Sequence, residues 1–157
     1  MFDYLKKMKD LQKLVCIYTD FKESNTFYVG YIAALNEKEL VLQEISKTGK
    51  YCGYLWIPLD AVYRCETDSK YTKKIECLSA EEVPGYPALG LDEESDLRRQ
   101  LLRYAKQNHI YIECRWNERL YTGYLLEFTK TRIVLNNADE EINCFSAKEI
   151  DFVEIEA

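Results

Sequence analysis

One segment of this chain occurs twice. Residues 27–32, FYVGYI, reappear as residues 120–125, LYTGYL, and residues 40–42, LVL, reappear as residues 133–135, IVL. Both pairs keep the same spacing (123 − 30 = 93 and 135 − 42 = 93), so one register holds across two separate hydrophobic segments. A register that is kept in this way indicates an internal duplication. We therefore expect two similar folding units within one chain.

The composition is that of a globular protein with an acidic second half. Of the 157 residues, 47% are hydrophobic and 13% aromatic, enough for two small units that pack on each other or on a partner. The net charge of −6 divides into +1 for residues 1–78 and −7 for residues 79–157. Nucleic-acid binding draws most of its affinity from cations that neutralise phosphates. DNA binding is therefore not expected, and the amino-terminal half is the less unfavourable for RNA.

The cysteines favour a reduced, metal-free protein. The chain holds six, at positions 16, 52, 65, 77, 114 and 144, without a C-x-x-C pair. Its single histidine, His109, cannot complete a conventional zinc quartet with them. The charged first residues do not resemble a secretory signal, and no apolar run approaches about 18 residues. These features predict a soluble, cytoplasmic protein with core thiols, no membrane association, no metal and no cofactor.

The hydrophobic pattern predicts one helix followed by five strands in each unit. Residues 2–14 have helical spacing, and a second helix begins at Asp92 or Ser95. The predicted strands are 15–18, 26–35, 38–45, 51–57 and 62–66, then 109–115, 118–128, 131–137, 141–146 and 149–155. Residues 79–93 contain two prolines, two glycines and several acidic residues, which is typical of a linker. The predicted domains are therefore residues 1–78 and 94–157, joined by residues 79–93.

Each set of five strands is expected to form a small barrel. Five short strands after one helix must cover a single apolar face, and a sheet that rolls on itself with the helix at one end achieves this. Gly30 and Gly123 lie inside the long second strand, where glycine marks a sharp bend or a close backbone approach. We expect a mainly β fold of two tandem five-stranded barrels. Aligning Ile17 with Ile112 makes the first hairpin two residues shorter in the second unit.

Both units resemble the Sm-like (LSm) family of small β-barrels. Residues 30–42, GxIxxLNxxxLVL, and residues 123–135, GxLxxFTxxxIVL, resemble its first signature, with the spacing of its bacterial RNA-chaperone branch. Residues 57–62 and 145–150 resemble the second signature. SH3-like and Tudor-like barrels share many of these apolar positions. The resemblance implies barrels that assemble into rings through their edge strands and that bind RNA.

The sequence departs from the family at the RNA-contacting positions. Asn36 and Thr129 stand where the family commonly has Asp. Residues 58–59 and 146–147 lack the Arg-Gly pair of the eukaryotic relatives, and Lys38 and Thr131 replace the stacking aromatic residue of the bacterial chaperone. Most of the RNA-contact pattern is therefore missing. The nucleic-acid contacts that the resemblance still suggests are Asn36, Lys38, Thr129 and Lys130.

Four tyrosines around the repeated glycines form a second candidate set. They are Tyr28, Tyr31, Tyr121 and Tyr124. Exposed, they would anchor a partner or stack on bases; packed, they would fill the barrel wall or the seam between the units. Both interpretations stay open from the sequence, and packing is the favoured one.

Catalysis is not expected from this sequence. It contains no Ser-His-Asp order, no glycine-rich phosphate loop and no HExxH segment. Cys114 follows His109 by five residues, roughly 16 Å along an extended strand, which is too far for a catalytic pair. The leading hypothesis is a non-catalytic binding or assembly module that associates with itself or with a protein partner. The alternatives are RNA binding through the turns after the second strands, and peptide recognition by an aromatic groove.

Overall fold

The computed structural model of the protein describes residues 1–19, 27–82, 88–116, 119–147 and 150–156. The fold is mainly β, as predicted. The helices are α1 (Phe2–Asp10), α2 (Lys70–Ser79) and α3 (Leu97–Gln107). The strands are β1 (Val15–Thr19), β2 (Phe27–Leu35), β3 (Glu39–Ile45), β4 (Tyr51–Pro58), β5 (Val62–Glu66), β6 (Tyr111–Trp116), β7 (Arg119–Phe128), β8 (Arg132–Asn136), β9 (Ile142–Ser146) and β10 (Ile150–Glu156).

The strands form two antiparallel sets of five with the same internal order. The first set runs β5-β1-β2-β3-β4 and the second β10-β6-β7-β8-β9, and β4 pairs with β10 so that the ten strands are continuous. The prediction of closed barrels is not confirmed, because the outermost strands of each set do not pair with each other within the described residues. Instead, the free edge of β4 is covered by β10 of the other unit, which satisfies its backbone hydrogen bonds in a different way.

The duplication extends to strand register. Ile32 lies opposite Leu42 in the first unit, and Leu125 lies opposite Leu135 in the second. A register shift follows both Ile32 and Leu125. The two units therefore repeat their irregularities as well as their strand order.

The repeated glycines mark a close backbone approach. A Cβ atom added to Gly123 would lie 2.5 Å from the carbonyl oxygen of Asn136. A Cβ added to Gly30 would collide with the carbonyl oxygen of Gln43, which is the repeat counterpart of Asn136. Neither position has room for a side chain, so the sequence interpretation of these glycines as sites of close approach is supported.

The alignment of the first strands was wrong by two residues. Val15 lies opposite Gly30, and Ile112 lies opposite Gly123, so Val15 rather than Ile17 is the counterpart of Ile112. The first hairpin is therefore four residues shorter in the second unit. Side chains alternate between the faces of a strand with period two, so a shift of two residues leaves the hydrophobic pattern unchanged.

The helices α1 and α3 cover equivalent faces of the two units, but α3 also contacts the other unit. Leu5 and Met8 of α1 are buried in the core of the first unit, and Leu102 and Ala105 are the counterparts in α3. The cluster around α3 also contains buried residues from the outer face of β2, β3 and β4: Ala34, Val41, Tyr54 and Trp56. Because α3 packs on strands of both sets, the two units share one of their cores.

The helix α2 was not predicted from the sequence. It covers the outer face of β1 and β2, where Ile75 is buried with Cys16 and Val29. The counterparts of Cys16 and Val29 in the second unit are Glu113 and Thr122. These side chains are polar and need no helix to shield them from water. None of the described helices is long and apolar enough to cross a membrane. The division into residues 1–78, 79–93 and 94–157 stays a prediction, and residues 83–87 of the linker lie outside the described ranges.

Candidate functional site

The carboxylate of Glu39 ties the two units together. Its Oε2 accepts hydrogen bonds from the backbone N–H of Leu97 (3.0 Å) and from Nδ2 of Asn36 (3.2 Å). Its Oε1 accepts from the backbone N–H of Arg98 (3.1 Å) and from Nε1 of Trp56 (3.0 Å). A side chain at the start of β3 thus satisfies two amides in the first turn of α3.

Glu39 is held in its charged form. Burial disfavours the carboxylate, but the hydrogen bonds from Leu97, Arg98, Asn36 and Trp56 outweigh burial and lower the pKa below its ordinary value of 4.5. A negative charge is also favoured at a helix amino terminus. The sequence analysis missed Glu39, because an acidic residue directly after a turn has the pattern of an ordinary solvated side chain.

The first predicted RNA-contacting turn is used within the protein. The Oδ1 atom of Asn36 accepts hydrogen bonds from the backbone N–H of Lys38 (2.9 Å) and of Glu39 (2.8 Å). Its Nδ2 also donates to the carbonyl oxygen of Glu93 (3.2 Å). The amide of Asn36 therefore fixes the turn and joins it to the segment before α3, while the side chain of Lys38 is exposed.

This turn lines an acidic cavity of about 600 Å³. Lys38 and Arg98 are its cationic side chains. The carboxylates that line it are Glu37, Glu39, Glu93, Glu94 and Asp96. Because carboxylates outnumber cations, the cavity disfavours a phosphate backbone.

The second predicted turn repeats the geometry with a different charge. The Oγ1 atom of Thr129 accepts hydrogen bonds from the backbone N–H of Thr131 (3.2 Å) and of Arg132 (3.1 Å), as Asn36 does in the first unit. Thr129 and Lys130 are exposed and line a cavity of about 160 Å³. Its charged residues are Lys130, Arg98, Arg99 and Asp96, so cations prevail at this turn.

The four candidate tyrosines do not come together in one exposed groove. Tyr28 is buried in the core of the first unit, and Tyr31 packs against the cluster beneath α2. Tyr121 stacks on Phe145, with 5.1 Å between the ring centroids. Tyr124 is 48% exposed. The packing interpretation therefore holds for three of the four.

Two buried thiols, Cys16 and Cys114, and the half-buried Cys65 are slow nucleophiles at neutral pH. Burial raises the pKa of Cys16 to about 11, and those of Cys65 and Cys114 to about 12. At neutral pH these thiols are protonated, and the thiolate is the reactive form. Among the described residues, no group of three or more His, Cys, Asp or Glu side chains is placed to hold a metal ion.

The two ends of the strand order are open edges. In the described part of the chain, β5 pairs with β1 on one side and β9 pairs with β8 on one side, and neither has a second partner. These strands are the repeat counterparts of β10 and β4, which pair with each other at the centre. Both edges carry exposed apolar side chains, Tyr63 on β5 and Ile142 on β9.

No protein-family model, no curated protein and no solved structure matches the chain. The similarity to Sm-like proteins is therefore a resemblance that rests on the repeated signatures.

Proposed function

We propose that this protein is a non-catalytic, tandem Sm-like assembly module whose partners add strands to its open edges. One observation carries the proposal: β4 and β10 already join one unit to the other, and their repeat counterparts, β9 and β5, are left at the two ends. The chain thus contains one joint between units, formed by β4 and β10. It also has two open edges, β9 and β5, which are equivalent to the two sides of that joint.

The organisation of each unit supports the Sm-like assignment. In both units a helix precedes the strands, and the five strands have the same order and the same register shifts. The signature glycines occupy equivalent positions against the neighbouring backbone. These features agree with the resemblance at the level of the scaffold. The missing RNA-contact residues favour an assembly role over RNA binding.

The edges themselves are suited to strand addition. An edge strand presents unpaired backbone N–H and C=O groups, and natural proteins commonly protect such edges with Lys or Pro. Neither β5, with the sequence VYRCE, nor β9, with the sequence INCFS, contains Lys or Pro, and the two charged residues of β5, Arg64 and Glu66, pair with each other. Backbone hydrogen bonds from an added strand would supply the affinity, and side chains on the edge would select the partner.

Replacing Ile142 by Lys should prevent assembly. Ile142 is 67% exposed on β9, so the substitution places a charge on the edge without opening the core. Light scattering on a size-exclusion column should give a mass above the 18.6 kDa of one chain for the wild type, and the monomer mass for the variant. Leu120→Lys is the matched control, because Leu120 is 53% exposed on β7, away from both edges. An Ile142→Lys variant that assembles as fully as the wild type would contradict the proposal.

RNA binding through the turns is the competing function, favoured only by the cations near Thr129. Under the assembly proposal, single-stranded RNA titrated at low salt should show no measurable binding. Under the RNA hypothesis, affinity should fall as salt rises, and Arg99→Ala and Lys130→Ala should each weaken it. Lys38→Ala, at the acidic first turn, is the control that should leave any such binding unchanged. Salt-dependent binding that is lost in the first two variants would assign the function to RNA.

A further inference from the structure

We infer that the partner at these edges is a second copy of this chain, in the register that places Cys65 of one copy opposite Cys144 of the next. The inference rests on the proposed assembly function and specifies its partner and geometry. The register follows from the pairing of β4 with β10 inside the chain, transferred to the equivalent edge strands β9 and β5.

Strands β5 and β10 occupy equivalent positions in the two units. Cys65 lies opposite Ile17 in the first unit, and Val153 lies opposite Cys114 in the second. Both strands also shift register near their first residues: β5 between the residues opposite Tyr18 and Thr19, and β10 between Ile150 and Phe152. Cys65 is therefore the counterpart of Val153.

Strands β4 and β9 are equivalent in the same way. Trp56 lies opposite Val41 in the first unit, and Cys144 lies opposite Val134 in the second. Val41 and Val134 are themselves repeat counterparts, 93 positions apart like the glycines. Cys144 is therefore the counterpart of Trp56.

The pairing of β4 with β10 predicts the pairing of the equivalent edge strands, β9 and β5, between two copies. At the centre of the sheet, Val153 lies directly opposite Trp56. Replacing each residue by its counterpart puts Cys65 opposite Cys144. Side chains directly opposite in antiparallel strands have Cβ atoms about 4.5–5.5 Å apart, close to the separation that a disulfide spans.

The helices provide a second, separate indication of the same joint. In the internal joint, Leu101 of α3 is buried in the cluster that contains Val41 and Tyr54. The counterpart of Leu101 in α1 is Tyr4, which is 45% exposed, and the counterpart of Tyr54 is Ile142, which is 67% exposed. In the inferred register, α1 of one copy lies on the outer face of β8 and β9 of the next. Both apolar surfaces would then be covered.

The joint between copies lacks the carboxylate tie of the internal one. The counterpart of Glu39 is Arg132, which forms an ion pair with Glu127 (2.6 Å) and presents no acceptor to a helix amino terminus. The joint between copies is therefore weaker and depends on protein concentration. Since the two edges differ, the contact is head-to-tail, and it closes into a ring or extends as a filament.

Complementary cysteine variants test this register with the full chain. All variants carry Cys52→Ser and Cys77→Ser, which remove other accessible thiols. One variant keeps Cys65 and carries Cys144→Ser, and the other keeps Cys144 and carries Cys65→Val, the residue found at its counterpart. The oxidant is diamide at alkaline pH, with incubation long enough for the minor thiolate form of Cys65, whose pKa burial raises to about 12, to react. Its azo group accepts the two electrons and two protons that two thiols lose when the disulfide forms.

The mixture should form a disulfide-linked dimer that neither variant forms alone, and mass spectrometry should find Cys65 joined to Cys144. Moving the second thiol one position, with Asn143→Cys and Cys144→Ser, turns it to the other face of the strand. The cross-linked yield should then fall at least tenfold. Wild-type assembly without the Cys65–Cys144 link, or equal yields from both positions, would overturn the register and leave the assembly function standing. A monomeric wild type would overturn the inference that the partner is a second copy.

Discussion

Replacing Glu39 by Ala should lower the free energy of unfolding by about 3 kcal/mol. The half-buried carboxylate accepts four hydrogen bonds, two of them from the first turn of α3. Removing it leaves the indole N–H of Trp56 and the amides of Leu97 and Arg98 without this acceptor, and hydrogen bonds to a charged group are worth about 1.5–3 kcal/mol each. The expected loss is smaller than the sum of these contributions, because water can reach part of the site once the carboxylate is removed. Urea denaturation measures the change.

The repeat supplies the control for Glu39. Arg132 occupies the equivalent position, but its ion pair with Glu127 is exposed. Arg132→Ala should therefore leave the free energy of unfolding nearly unchanged. Equal losses from the two substitutions would show that Glu39 has no special role in joining the units.

The contribution of Glu39 should also depend on pH with a defined sign. The pKa of its carboxyl is lower in the folded protein than its ordinary value of 4.5. A group of this kind stabilises the fold at pH values above 4.5, and the contribution is lost as the pH falls through the folded-state pKa. The stability difference between the wild type and Glu39→Gln should therefore be largest near neutral pH and shrink below about pH 4. A difference that grows on acidification would contradict the assigned charge state.

Substituting either repeated glycine by Ala should be similarly damaging. At Gly123 the new methyl group would lie 2.5 Å from the carbonyl oxygen of Asn136, and at Gly30 it would collide with that of Gln43. Backbone atoms on the neighbouring strand must move to make room. Overpacking of this kind costs up to about 3 kcal/mol. We expect Gly30→Ala and Gly123→Ala each to lower stability by about that amount in thermal or urea denaturation.

Gly90→Ala separates steric collision from the general effect of replacing a glycine. Apart from its two chain neighbours, no atom of the described residues lies within 4 Å of a Cβ built on Gly90, although its φ of +59° is unfavourable for alanine. Its loss should be about 1 kcal/mol. If Gly123→Ala lowered stability no more than Gly90→Ala, the backbones of β7 and β8 would be farther apart at Gly123 than the structure indicates.

The parts of the fold that depend on local pattern could be predicted from the sequence. The repeated Gly-Tyr segments and the alternating apolar residues indicated two units with a helix and five strands each. The placement of the first strand could not be predicted, because Val15 and Ile17 point to the same face and serve equally well in the pattern. Helix α2 was missed because it has few apolar residues to mark it, with Ile75 its one fully buried aliphatic side chain.

The joint between the units was beyond sequence reasoning for another reason. β4 could pair with β5 in a closed barrel or with β10, since either edge supplies the same backbone hydrogen bonds, and backbone groups carry no residue-specific signal. Glu39 and Asn36 illustrate the same limit at the site. Asn36 was selected as a contact for a ligand, but its amide is committed to the turn and to Glu93.

The pairing of β4 with β10 inside one polypeptide has a consequence for stoichiometry. Each copy adds two units to an assembly, and these units are already joined through β4 and β10. Any closed assembly built from such copies would contain an even number of units. Around it, the joint within each chain would alternate with the dissociable joint between chains. Dilution would then release whole chains and never single units.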